Sequence, residues 1–275
     1  MSIWTDWVKD VTIRDALDHV IDGGRMDEKD ALDALSKMWD ESPEHIAAAT
    51  GKDFYENYYP TDRHGPEWKD GRPKGIVDHY TTGIDSKGVL RWFSSEPRGP
   101  DAGNSSAHVV IDRDGVITFV VNPLKNVAWH APGANSTHIG IEIVNAGLLR
   151  KAGDRYYRMR AIPYLEDRIG SIREVNGEYW EPYTSAQTVA NIALKRLFFA
   201  AIPTIKREYM VDHEMVNPQR KRDCGPLWPL QSLNDLVIHD VPFRDAYWAK
   251  SALLNTSMFE LEVSRLLEGD APLHV

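Results

Sequence analysis

The sequence predicts an α/β protein, with a central mixed β-sheet flanked by helices and a helical N-terminal extension. Three observations predict it. The runs "GIVDHY" and "HIGIEIVNAG" are short, apolar and rich in β-branched residues, as strands are. "SAHVVIDRDGVITFVV" places Asp114-Gly115 between two apolar runs, a strong hairpin signal. "EPYTSAQTVANIALKRLFFAAI" has helical periodicity, with Val189, Ile192, Ala193 and Leu197 on one face. Strands interleaved with helices place a mixed sheet at the centre.

The elements follow in chain order. Trp4, Trp7, Val8 and Val11 fall at helical spacing and continue into Ala16, Leu17, Val20 and Ile21, until "DGG" breaks the pattern. A second helix carries Leu32, Leu35, Met38 and Trp39. A third begins at "SPEH", with Ser42 as N-cap and Pro43 in the first turn, and stops near Gly51. "DFYENYYPTDRHGPEWKDGRPKG" reads as a loop. The strands of the first paragraph come next. Residues 149 to 180, rich in Arg and Tyr, look like an insertion between the last strand and the long helix, and a solvated loop is the default expectation for them. That helix opens on a capping box, Thr184 with Gln187. Two amphipathic helices close the chain from about Asp245. The expected organisation is a helical extension over 1–65, a main domain over 66–245 and C-terminal helices over 246–275 packed on it.

Composition removes several classes of function. A chain of 275 residues is long enough to bury a real core. A net charge of -9 argues against nucleic acid as a partner, because phosphate backbones attract an excess of Lys and Arg. No apolar run approaches twenty residues, so no membrane-spanning helix is expected. The N-terminus lacks a basic start followed by an apolar core, so synthesis in the cytoplasm without a Sec signal is expected. A single cysteine excludes an intramolecular disulfide.

The chemistry begins at two histidines, each in the sequence "V-D-H" at the end of an apolar run: His79 in "GIVDHYTTG" and His213 in "YMVDHE". Taken alone, His79 reads first as a core histidine donating to a backbone carbonyl. Two histidines projecting from rigid strand ends, with an acidic third ligand, make an open zinc site that leaves one position for water. Asp223 can be that ligand, because "NPQRKRDCGP" is turn chemistry that lets the chain double back. His108, in a strand, reads as a packed histidine bonded to a neighbouring loop. His130 lies in a loop beside Trp129.

Four segments together resemble the zinc-dependent N-acetylmuramoyl-L-alanine amidases, the family of T7-type lysozymes, muropeptide-recycling amidases and peptidoglycan recognition proteins. They are "VDHYTTG", "SSAHVVIDRDGVI", "AWHAPGANSTHIGIEIVNAG" and "HEMVNPQRKRDCGP". The likeness spans roughly residues 72 to 235 and leaves out the first sixty residues, the 149–180 insertion and the last thirty. It implies that fold, zinc held by His79, His213 and Asp223, Glu142 as general base and Lys221 as oxyanion stabiliser. It also implies that Trp129 and His130 line the substrate cleft. The alternation in "HIGIEIVN" supports part of this, because Glu142 shares a face with Gly140 and points away from Ile139, Ile141 and Ile143. One departure concerns Cys224, where recycling-type relatives have proline. Thiolate also binds zinc, and the Lys-x-ligand register favours Asp223 over its neighbour.

The expected function is zinc-dependent hydrolysis of the N-acetylmuramoyl-L-alanine amide in peptidoglycan, by a cell-wall lytic enzyme such as a phage endolysin or secreted effector. The competing expectations are a cytosolic muropeptide-recycling amidase and a non-catalytic binding module on the same fold. Peptidoglycan or muropeptides are the expected partner, with a protein partner docking through residues 1–60. The expected site of action is the periplasm or cell wall after release or export, or alternatively the cytoplasm.

Overall fold

The computed structural model describes residues 13–40, 57–58, 61, 63–69, 71–94, 105–239, 241–243 and 256–269. The expected helix at 42–51, the Trp4–Val11 stripe and the first of the two C-terminal helices lie outside them. The helices are α1 (Ile13–Ile21), α2 (Glu28–Asp40), α3 (Ser86–Ser94), α4 (Ser185–Ala201), α5 (His213–Val216), α6 (Leu230–Ile238) and α7 (Thr256–Glu268). The main sheet contains β1 (Asn57–Tyr58), β2 (Gly75–Tyr80), β3 (Val109–Ile111), β4 (Ile117–Phe119), β5 (His138–Ile143) and β11 (Met210–Asp212), in the order β1-β4-β3-β5-β2-β11. Only β3 and β4, the hairpin around Asp114-Gly115, pair antiparallel. The protein is therefore a mixed α/β structure with its central sheet flanked by helices. No described helix is long and apolar enough to cross a membrane.

The largest core lies between one face of this sheet and α4. Ile76, Val109, Ile111, Ile139, Ile141 and Ile143 meet Ile192, Leu194, Leu197 and Phe198, all of them buried. α4 starts where the capping box places it: Thr184 accepts from the Gln187 amide, and the Gln187 side chain reaches back to the Thr184 backbone. The helix is buried nearly all round, because α1, α2 and α6 cover its far side. Leu17, Val20 and Leu35 of α1 and α2 belong to the same core as the sheet. The described N-terminal helices thus pack into the main core. Burying a leucine of this kind contributes about 2 kcal/mol. Arg196 ties these layers together. Its guanidinium donates to the carbonyls of Val20 (2.6 Å), Leu236 (2.6 and 2.9 Å), Val241 (3.1 Å) and His239, which end α1 and α6.

The insertion is not a loop. It folds into a second, antiparallel sheet of β6 (Leu148–Ala152), β7 (Arg155–Arg158), β8 (Ile162–Pro163), β9 (Arg173–Val175) and β10 (Glu178–Trp180), in the order β8-β7-β6-β10-β9. Its strands lack apolar alternation because charged and aromatic residues pair across them: Arg150 lies over the Tyr157 ring, and Lys151 over the rings of Tyr156 and Tyr179. The sequence signals for this sheet lie in its turns. Gly153, Asn176 and Gly177 all have positive φ, and Asn-Gly is a favoured hairpin pair. The buried Glu181 secures the sheet, accepting from the Ala146 amide (2.5 Å) and the Tyr164 hydroxyl (2.8 Å) and facing Arg113 (2.9 Å).

Candidate metal centre

β2 lies between β5 and β11 and runs parallel to both, with His79 paired to Glu142 and Asp78 to Asp212. The C-terminal ends of the three strands therefore line up at one end of the sheet, the place where open α/β sheets collect ligands. Alternation along β2 sends successive side chains to opposite faces. Ile76 and Asp78 face α4, while Val77 and His79 face away from it, Val77 packing against Ala131 and Ala134. His213 begins α5, directly after β11, and the Asp212 carboxylate caps that turn by accepting from the Met215 amide at 2.9 Å. The following loop doubles back, and the Asp223 carbonyl accepts from the Glu214 amide at 2.7 Å.

The result is a convergence of three buried side chains. His79 Nδ1 lies 2.8 Å from His213 Nδ1 and 3.1 Å from Asp223 Oδ2, and His213 Nδ1 lies 3.0 Å from the same oxygen. Donors around a tetrahedral zinc at 2.0–2.1 Å stand about 3.3 Å apart, so this set fits one such ion with slight expansion. Its chemistry fits as well, since two imidazole nitrogens and a carboxylate oxygen meet at a common point, the donor types that hold zinc. Burial pushes the Asp223 carboxyl up, but the two imidazoles outweigh burial and hold it well below the usual carboxylate range. Burial likewise lowers His213, so both groups favour their metal-ligating forms.

Glu142 stands beside His79 on the same face of the sheet. Its Oε2 is buried without a hydrogen-bond partner among the described residues. Burial raises this carboxyl above the usual range; His79 and Lys221 pull it down and Asp223 pushes it up. The charge of Lys221 thus reaches both Glu142 and His213 from the loop, and the side chain is half-buried. Cys224 lies outside the trio: it is buried in the main core, where desolvation and the neighbouring carboxylates push its thiol well up.

The two residues expected to line a cleft occupy different places. Trp129 lies on a shallow depression of about 180 Å³, with Pro66, Lys69, Val127 and Asn135. His130 is not on an open surface. It is buried behind His79, with Nδ1 3.0 Å from His79 Nε2 and Nε2 3.0 Å from the His138 carbonyl oxygen, so both ring nitrogens are engaged inside the protein. His108 packs as expected, stacked on Trp68 at 5.5 Å, with Nε2 toward the Asn126 carbonyl and Nδ1 accepting from the Gly140 amide.

Burial pushes His108 down to about 4. The unfolded chain takes up its proton near pH 6.5, while the folded chain stays neutral until about pH 4. The stability from this site is full above pH 6.5 and is lost as pH falls through that window, by about 3 kcal/mol in all. Urea unfolding at pH 7 and pH 5 should show the loss, and His108→Phe should remove part of the slope. Equal slopes in both proteins would refute this origin.

A network under the trio escaped the sequence reading. Asp78, next to His79, is fully buried; its carboxylate accepts from Lys195 Nζ (2.6 Å), Trp228 Nε1 (3.0 Å) and Asn191 Nδ2 (3.1 Å). Lys195 is equally buried and also donates to Asn234 at 3.3 Å. The small sheet braces the loop from its other side: Arg222 pairs with Glu178 at 2.7 and 3.2 Å and lies over Trp180.

The fold and this cluster define an α/β protein with a buried His-His-Asp trio suited to a divalent cation. Residues 69–226 match the family described as N-acetylmuramoyl-L-alanine amidase, and the chain belongs to that family. It is 34% identical over 119 residues to the N-acetylmuramoyl-L-alanine amidase AmiD of Escherichia coli, a match covering 40% of this chain and 34% of AmiD. The chain thus spans about a third of the length of that curated relative. Among solved structures it resembles an AmpD derivative (22% identity, 66% of this chain and 93% of that one, TM-score 0.47). It also resembles Escherichia coli AmiD in complex with the substrate anhydro-N-acetylmuramic acid-L-Ala-D-γ-Glu-L-Lys (25% identity, 72% and 73%, TM-score 0.44).

Proposed function

We propose that this chain is a zinc-dependent amidase that hydrolyses the bond between the lactyl group of N-acetylmuramic acid and L-alanine in peptidoglycan. The observation that carries the reading is the convergence of His79, His213 and Asp223 within 4.8 Å of one another, beside Glu142, inside the segment matched by the family. The family match and the likeness to AmiD, named as an N-acetylmuramoyl-L-alanine amidase, support the choice of bond.

His79, His213 and Asp223 would hold the ion, and when bound it supplies Lewis acidity and a water acidified to a pKa of about 7. Glu142 accepts the proton of the attacking water and returns it to the departing alanine nitrogen. Its raised pKa suits it to both transfers. Lys221 brings positive charge to the carbonyl oxygen as that oxygen turns negative, a contribution of about 3 kcal/mol for a well-placed group. The presence of base, lysine and a full ligand trio favours catalysis over a binding module. We read the enzyme as cell-wall lytic, because the chain carries a second sheet within the matched segment and further helices on either side of that segment, more than hydrolysis of a small muropeptide needs.

The test is mass spectrometry of purified sacculi and of soluble muropeptides treated with the protein, with and without a chelator. Intact glycan strands and free peptides beginning in L-alanine are expected, and chelation should abolish both. Cleaved sugars would refute the assignment. Activity confined to soluble muropeptides would refute the lytic role alone.

A further inference from the structure

We propose that His130 is a positioning residue, which fixes His79 with its proton on Nε2 and its bare Nδ1 turned toward His213 and Asp223, and that Gly140 is the gap in β5 that admits its ring. The proposal rests on reading the trio as a metal site, and it gives this histidine a role away from substrate.

The assignment follows from proton accounting along a row of contacts. His130 Nε2 lies 3.0 Å from the His138 carbonyl oxygen, which can only accept, so Nε2 carries a hydrogen. No carboxylate bonds to His130 among the described residues, and the ring is buried, so a second proton would leave an unpaired cation in the interior. His130 Nδ1 is therefore a lone pair. It lies 3.0 Å from His79 Nε2, which must be the donor. A neutral His79 with its hydrogen on Nε2 has a bare Nδ1, the atom that faces Asp223 and His213.

The surroundings hold His130 in this pose. Asn135 Oδ1 accepts from the His130 amide (3.0 Å) and the Ala131 amide (2.6 Å), which fixes the loop. The ring stands edge-on to His79 and to His108, with centroids 5.1 and 5.8 Å away. A Cβ on residue 140 would come within 2.4–2.7 Å of three His130 ring atoms, a distance no relaxed contact tolerates. Glycine at this place in "HIGIEI" is therefore a condition for the ring, and through it for the state of His79.

Partners that orient a metal-bound imidazole typically change metal affinity 10–100-fold. The experiment measures zinc affinity by competition with a chromophoric chelator for the wild type and for His130→Leu, His130→Asn and Gly140→Ala. Long-range 1H–15N spectra of the metal-free wild type at pH 8 are recorded alongside. His130→Leu and Gly140→Ala should bind zinc roughly 10–100-fold more weakly. His130→Asn, which keeps an oxygen acceptor near the Nδ1 position, should lose clearly less. The spectra should place the His79 proton on Nε2. A His79 proton on Nδ1, or wild-type affinity in His130→Leu, overturns the proposal and leaves the metal site standing. A wild type that binds no zinc overturns both. Should His130→Leu fail to fold, the wild-type spectra and the Gly140→Ala affinity decide.

Discussion

Glu142→Gln should bind zinc as tightly as the wild type and turn over substrate 10²–10⁴-fold more slowly. Glutamine matches glutamate in size, so the pairing of β5 with β2 and the position beside His79 survive. What is lost is the ability to take a proton and give it back. Zinc content by elemental analysis and kcat on a muropeptide separate the two effects; wild-type turnover would remove Glu142 from the mechanism. In the wild type the base acts only when ionised. Activity should therefore rise with pH through a value above the ordinary 4.5, since burial raises this carboxyl, and that limb should vanish in the variant.

The second large effect belongs to Asp78. Asp78→Asn leaves the Lys195 ammonium buried without its anion, and removing one member of a buried pair costs about 3–5 kcal/mol. For a chain of this size that corresponds to a drop of roughly 10 °C in Tm. Lys195→Met should cost a similar amount. The double replacement Asp78→Asn with Lys195→Met should lose clearly less than the sum of the two, because the orphaned charge disappears. Calorimetry of the three variants checks this, and strictly additive losses would refute the pairing argument. Zinc affinity should fall as well, since Asp78 holds Trp228 just beyond the Asp223 loop.

The parts of the fold that could be read from sequence were those in which local pattern and tertiary role agree. "HIGIEI" alternates because only one of its faces meets the core, Asp114-Gly115 turns a hairpin, and Thr184 with Gln187 starts a helix by bonds within four residues. The small sheet could not be read from apolar rhythm, because charge–aromatic pairs replace that rhythm. α3 and α6 are nine residues each, too short for helical periodicity to stand out in the sequence. At the site, the two V-D-H ends and the doubled-back loop marked three residues that the structure brings together, and the resemblance suggested roles for them. Asp78 gave no such signal, since its partner Lys195 lies 117 residues away and nothing local marks either as buried. The place of His130 depends on which way a ring turns, which no spacing encodes.

The docking of the small sheet bears on how this chain can be recombined. Residues 148–180 look like an ornament between strand and helix, yet their fit is written into residues outside them. Gly225 leaves room for Trp180, Arg222 answers Glu178, and Arg158 and Arg168 donate to the carbonyls of Thr82 and Ile84. Transplanting the segment alone would carry half of a lock. A chimera that keeps this geometry has to move the stretches that follow His79 and His213 with it.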